Sequence, residues 1–148
     1  MKNRGVRMKL DEFTIGQVFK TKSLKVSKDD IMRFAGEFDP QYMHVDEEKA
    51  SKGRFNGIIA SGIQTLAISF KLWIEEGFYG DDIIAGTEMN HMTFIKPVYP
   101  DDELFTIVEV LDKQPKRNEL GILTVLLSTY NQKEVKVFEG ELSVLIKR

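Results

Sequence analysis

Positions 61–76 read SGIQTLAISFKLWIEE, with Ile63, Leu66, Ala67, Phe70 and Ile74 at helical spacing on one face and Ile68 and Leu72 flanking it. The helix this predicts is apolar over most of its circumference. At roughly 1.5 Å per residue it is more than 20 Å long, and such a helix has to be enclosed by other elements rather than lie on a surface. The chain beyond it turns strand-rich, over 83–85, 89–95, 103–111, 121–130 and 135–147. Pro97, Pro100-Asp101-Asp102 and residues 131–134 supply the turns, and Gly140 suggests a bulge in the last strand. Connections this short make antiparallel neighbours. The expectation is an α+β fold in which a curved antiparallel sheet wraps one long central helix.

Ahead of that helix the signals are shorter. Val18, Leu24 and Val26 share one parity over 18–26, the mark of an edge strand. Ser27 to Asp30 fits a capping box, the hydroxyl and the carboxylate each satisfying a free backbone donor at a helix start. Ile31, Phe34, Ala35 and Phe38 then fall on one helical face, and Asp39-Pro40 stops the helix because proline disfavours the α conformation in its predecessor. Asp46, followed by two glutamates, opens a second short helix, with acid placed where the helix dipole favours it. Gly53 and Gly57 bracket the loop that leads to the long helix.

The 148 residues make one domain, 1–148, and 42% hydrophobic with 30% charged residues can bury a core. A net charge of -2 argues against a general nucleic-acid binder, which needs a basic excess. Lys2, Arg4, Arg7 and Lys9 are too few for a targeting segment and lack the apolar stretch of a signal peptide. Cysteine is absent, which excludes thiolate nucleophiles and disulfides and fits a cytoplasmic protein. No apolar run approaches membrane-spanning length.

Two segments could carry chemistry. Asp39 and His44 lie five residues apart in the break between two helices, where loop geometry could turn a carboxylate and an imidazole into one pocket. On spacing alone the structural reading leads, since Asp-Pro is a common helix stop and a lone histidine is usually a surface or hydrogen-bonded residue. Residues 55–63 run straight into the long helix, whose start presents unpaired N–H groups. Gly62 there either admits an oxyanion or simply relieves crowding. His91 lies in a predicted strand with no carboxylate at ligand spacing, so a strand-face role is expected and no metal site. Trp73 and the ten phenylalanines read as core and tunnel lining, and residues 112–119 as a polar hairpin tip. Lys52, Arg54, Lys71 and Lys96 are scattered and carry no assignment.

Taken together, Asp39-Pro40-Gln41 through His44 with Asp46 and Ala50, Phe55 through Ser61-Gly62, and Phe94 through Asp102 resemble three segments, in order, of the MaoC-like hydratase/dehydratase family of the hot-dog fold. The sequence departs from many members in having Phe38 where they carry Gly and Gln41 where they carry Asn. The resemblance implies (R)-specific hydration of trans-2-enoyl thioesters, or the reverse dehydration, on coenzyme A or an acyl carrier protein, without metal or cofactor. In the implied mechanism Asp39 and His44 share one water. His44 takes its proton, Asp39 orients it and helps deliver a proton to the α-carbon, and the Gly62 N–H holds the thioester oxygen. Gln41 and Ser61 fall at substrate-binding positions. A homodimer or higher homo-oligomer is implied as well, with acyl sites built across the subunit boundary. A hot-dog thioesterase and a non-catalytic acyl-thioester binding domain are the alternatives.

Overall fold

The structure, a computed structural model, describes residues 6–148. Lys2 and Arg4 lie outside the described residues. Strands β1 (Val18–Lys20), β2 (Leu24–Lys25), β3 (Ile83–Phe94), β4 (Glu103–Pro115), β5 (Leu120–Tyr130) and β6 (Lys136–Lys147) accompany helices α1 (Lys28–Phe38), α2 (Tyr42–Val45), α3 (Glu47–Ser51) and α4 (Gly62–Glu75). All pairings are antiparallel, in the order β1-β4-β5-β6-β3, with β2 also pairing β4. This is the α+β layout expected, with β3 left at one edge.

Local chemistry sets the helix ends. Ser27 Oγ accepts the Asp30 N–H at 3.1 Å, but the Asp30 carboxylate pairs with Arg33 instead of reaching back, so only half of the predicted box forms. Asp39, held before Pro40, closes α1 as its C-cap, and Asp46 Oδ1 accepts the Lys49 N–H at 3.0 Å to start α3. Between them the chain makes an extra helical turn, α2, in place of the expected loop.

The long helix turns the other way from its most apolar stripe. Its buried residues are Gln64, Thr65, Ile68, Ser69, Leu72 and Trp73, whereas Ile63 is 53% exposed, Ile74 is 36% exposed and Ala67 faces outward. The sheet explains this. It offers hydroxyls that satisfy small polar side chains, Ser69 Oγ meeting Thr129 Oγ1 at 2.5 Å, and Thr129 meeting Thr106 Oγ1 at 2.7 Å. Farther along, Trp73 enters an aromatic cluster with its ring centroid 5.2 Å from that of Phe19 and 5.5 Å from those of Phe78 and Tyr79. The helix is therefore covered on one face and open on the other, not enclosed.

Other boundaries shift for similar reasons. The 18–26 stretch splits at Thr21, whose N–H donates to the Thr106 carbonyl and whose Oγ1 accepts the Thr106 N–H. The break changes phase, so Phe19 and not Val18 joins Val26 in the core. Segments 83–85 and 89–95 merge into β3. The bulge expected at Gly140 sits across the ladder, where Asn90 to Thr93 of β3 oppose Glu141 to Glu139. Gly140 leaves the space that Met92 fills, and His91 takes φ 55°. His91 also has a carboxylate partner after all, Glu141 Oε2 at 2.8 Å on the neighbouring strand. The polar tip contracts to residues 116–119, because β4 keeps pairing through Pro115. Among the described residues no helix is long and apolar enough to cross a membrane.

Candidate active site

Asp39 ends α1 and His44 sits in the single turn of α2, so Pro40 and Gln41 fold the chain back between them. The fold-back is secured by the Gln41 N–H donating to the Asp39 carbonyl at 2.8 Å and the His44 N–H to the Gln41 carbonyl at 3.0 Å. His44 Nε2 comes to 3.3 Å from Asp39 Oδ2. His44 is buried, at 5% exposure, rather than lying in an open loop.

Each member of the pair has its hydrogen-bonding state set by neighbours. His44 Nδ1 lies 2.6 Å from the Ile59 carbonyl oxygen. A carbonyl only accepts, so Nδ1 carries a proton and donates it, which leaves Nε2 of the neutral ring as the acceptor facing Asp39. Asp39 Oδ2 accepts the Ser61 hydroxyl at 2.6 Å and Oδ1 accepts the Gln41 side-chain amide at 2.7 Å. The Ser61 hydroxyl is the largest influence holding the Asp39 carboxyl below the usual carboxylate range. Partial burial works against it, and the Gln41 amide adds to it, as does His44 whenever its ring is protonated. The longer arm of Gln41 thus still reaches the carboxylate.

Ser61, expected at the substrate, is fully buried, with its hydroxyl engaged by Asp39 and by the Ile63 N–H at 3.2 Å. It caps α4 and fixes Asp39 in one act. Gly62 opens the helix, in the first turn whose N–H groups have no intrahelical acceptor. The crowding considered for Gly62 is real, since a Cβ there would lie 2.8 Å from the Phe94 ring. Asp39, His44 and Gly62 all line one cavity of about 440 Å³, with Phe55, Phe94 and Val137 among its apolar walls. That volume and make-up suit an extended organic ligand. Trp73 belongs to the core and not to this cavity, whereas Lys96 reaches its wall.

The Ile59 carbonyl was not legible as a site feature, and Phe94 was legible only as one of ten phenylalanines expected in core and lining. The first is a backbone atom without a residue signature, held where the Ile59 N–H bonds the Met43 carbonyl and the next residue bonds Val98. Phe94 lies 32 residues from Gly62 in sequence and reaches it only because β3 ends beside the start of α4. Among the described residues no group of three or more His, Cys, Asp or Glu side chains is gathered so as to hold a metal ion.

A family model described as MaoC like domain matches residues 11–131. A MaoC-like dehydratase from Rhodospirillum rubrum is 33% identical, with a TM-score of 0.86 over 95% of this chain and 97% of that one. A monoamine oxidase regulatory protein from Archaeoglobus is 26% identical, with a TM-score of 0.88 over 99% of both chains. An R-hydratase from Pseudomonas aeruginosa, 24% identical, superposes with a TM-score of 0.80 over 96% of this chain and 87% of its own, a likeness of fold. With its α+β hot-dog architecture and a family match across most of its length, this chain belongs to the MaoC-like family of hydratases and dehydratases.

Proposed function

We propose that the protein adds water to a trans-2-enoyl thioester to give the (R)-3-hydroxyacyl thioester, and catalyses the reverse dehydration, on coenzyme A or an acyl carrier protein. The observation that carries this reading is the Asp39–His44 pair, a carboxylate kept ionised and an imidazole presenting a bare Nε2, in one cavity with a helix-start N–H. A water between the pair donates one hydrogen to Nε2 and the other to Asp39. As its oxygen bonds the β-carbon, His44 takes the first proton and the developing imidazolium is steadied by Asp39. The electron pair released from the double bond spreads to the thioester oxygen, which the Gly62 N–H holds. The same proton then passes from His44 to the α-carbon, so OH and H arrive from one side. Because Asp39 is an acceptor, its part is orientation and charge, and His44 carries the proton first expected from Asp39. Ser61 and Gln41 act as positioning residues through Asp39.

The reading extends to the assembly. Edge strand β3 exposes Ile84, Met89 and Phe94, and α4 turns Ile63 and Ile74 outward. A second copy paired along β3 would cover this apolar surface and close the Phe94 side of the cavity, making a homodimer with one domain, 1–148, per subunit. Such a metal- and cofactor-free hydratase suits the cytoplasm and fatty acid metabolism.

The test is the loss of the conjugated enoyl absorbance of short and medium trans-2-enoyl-CoA, with chiral analysis of the product. Wild type should form the (R)-3-hydroxy product, and His44→Ala and Asp39→Asn should each lower the rate about 100- to 10,000-fold. Full activity in both variants would falsify the dyad. Release of free thiol without hydration would instead indicate a thioesterase, and binding without turnover an acyl-thioester binding domain.

A further inference from the structure

A second cavity, of about 340 Å³, lies between α1 and α4. Two pairs of consecutive residues tie it to the first. Phe38 lines the second cavity and Asp39 the first, while Gln64 lines the second and Thr65 the first. The two cavities are therefore neighbours, separated by one turn of α4 and the last residue of α1. On the hydratase reading the thioester oxygen sits at Gly62 and the β-carbon at the dyad. An acyl chain long enough to pass Asp39 would reach the side of α1 where Phe38 lines the second cavity.

Leu24, Val26, Phe34, Phe38 and Ile68 give it apolar walls, four charged residues line it as well, and Gln64 is its one uncharged polar residue. Gln64 is 7% exposed, and its side-chain amide is only half satisfied. Nε2 donates to the Asp30 carbonyl at 3.4 Å, and Oε1 has no partner among the described residues. The orientation is not interchangeable, because the Asp30 carbonyl can only accept and so requires the NH2. A buried carbonyl oxygen left bare is costly, and leucine would fill the place without that cost. One long hydrogen bond holds the amide weakly, and a turn of the side chain would bring the buried Oε1 to the cavity that Gln64 lines.

The rim limits what could satisfy it. Asp30, Arg33, Glu37 and Lys71 are two of each sign, with Arg33 paired to Asp30 and Lys71 to Glu75. An ionised group finds no net attraction there, and a carboxylate would face a carbonyl oxygen. A neutral donor on an apolar arm fits, and on an acyl chain that is a hydroxyl.

We propose that the α1–α4 cavity receives the distal acyl chain and that Gln64 Oε1 accepts a hydrogen bond from a hydroxyl on it, making the protein selective for hydroxylated enoyl thioesters. This rests on the hydratase reading. The experiment compares kcat/KM for medium-chain trans-2-enoyl-CoAs carrying a hydroxyl at successive positions from the fifth carbon outward, each against its unsubstituted parent, with crotonyl-CoA as the short reference. In the wild type the hydroxylated compound should be favoured about ten- to hundredfold at one or two positions only. Gln64→Leu should remove the peak and favour the unsubstituted chain. Gln64→Met serves if the leucine variant does not fold, and the wild-type profile decides even without either. A flat profile, or a preference for the unsubstituted chain at every position, overturns the inference while leaving the hydratase reading intact. No hydration of crotonyl-CoA or of any parent compound overturns both.

Discussion

Asp39 has to remain a carboxylate beside an imidazole, and the atoms responsible are the Ser61 hydroxyl at 2.6 Å and the Gln41 amide at 2.7 Å. Its carboxyl titrates below the ordinary aspartate value, with Ser61 the largest cause. A carboxyl depressed in the folded state contributes stability above its unfolded pKa, about 3.9, and that contribution is lost as pH falls through the lower folded value. Ser61→Ala should therefore move the acid limb of kcat/KM to higher pH and raise the pH of acid unfolding. Gln41 and His44 remain, so the return to ordinary behaviour is incomplete. A pH–rate profile and circular dichroism on acid titration measure the two, and an unmoved acid limb would assign it to another group.

At the scale of elements, the sheet decides which face of α4 is buried. Ser69, Thr129 and Thr106 form a satisfied hydroxyl chain, so the helix loses little by turning polar residues inward and leaves Ile63 and Ile74 outside. A comparable decision is made at the β3 bulge. Met92 occupies the space that the missing side chain of Gly140 leaves, and Phe138 closes it from the same strand. Gly140→Val should cost about 1–3 kcal/mol through overpacking, read as a lower midpoint in urea unfolding. Met92→Ala in the same chain should recover part of it. Unchanged stability in Gly140→Val would mean that the bulge opens freely.

Across the whole molecule, the uncovered face of α4 and the edge of β3 both leave apolar side chains exposed, and Ile63 of the one and Phe94 of the other wall the same cavity. The proposed homodimer answers this exposure. Light scattering at micromolar concentration should give a dimer for the wild type and a monomer for the double variant Ile84→Lys, Met89→Lys, since both side chains are exposed in the isolated chain and tolerate charge there. Enoyl hydration should fall with dissociation. A monomeric wild type, or a monomeric variant of full activity, would contradict a site completed by the partner.

Features that depend on neighbours in the chain were readable in advance. The Ser27 and Asp46 caps, the stop at Asp39-Pro40 and the turn at 131–134 each follow from side chains acting on backbone within four residues. The resemblance rested on the order of Asp39, His44 and Gly62 along the chain, and the structure brings all three to one cavity. What depends on distant surfaces was not readable. The apolar stripe of α4 identifies a helix that needs covering, but which face the sheet takes depends on hydroxyls 60 residues away at Thr129. The tautomer of His44 depends on a backbone oxygen at Ile59, and the carboxylate of His91 on a strand partner 50 residues on. Local sequence determined where elements start and stop, because those free energies are local. Tertiary structure decided which faces and atoms meet, because burial and hydrogen-bond satisfaction are settled only between surfaces that the chain brings together.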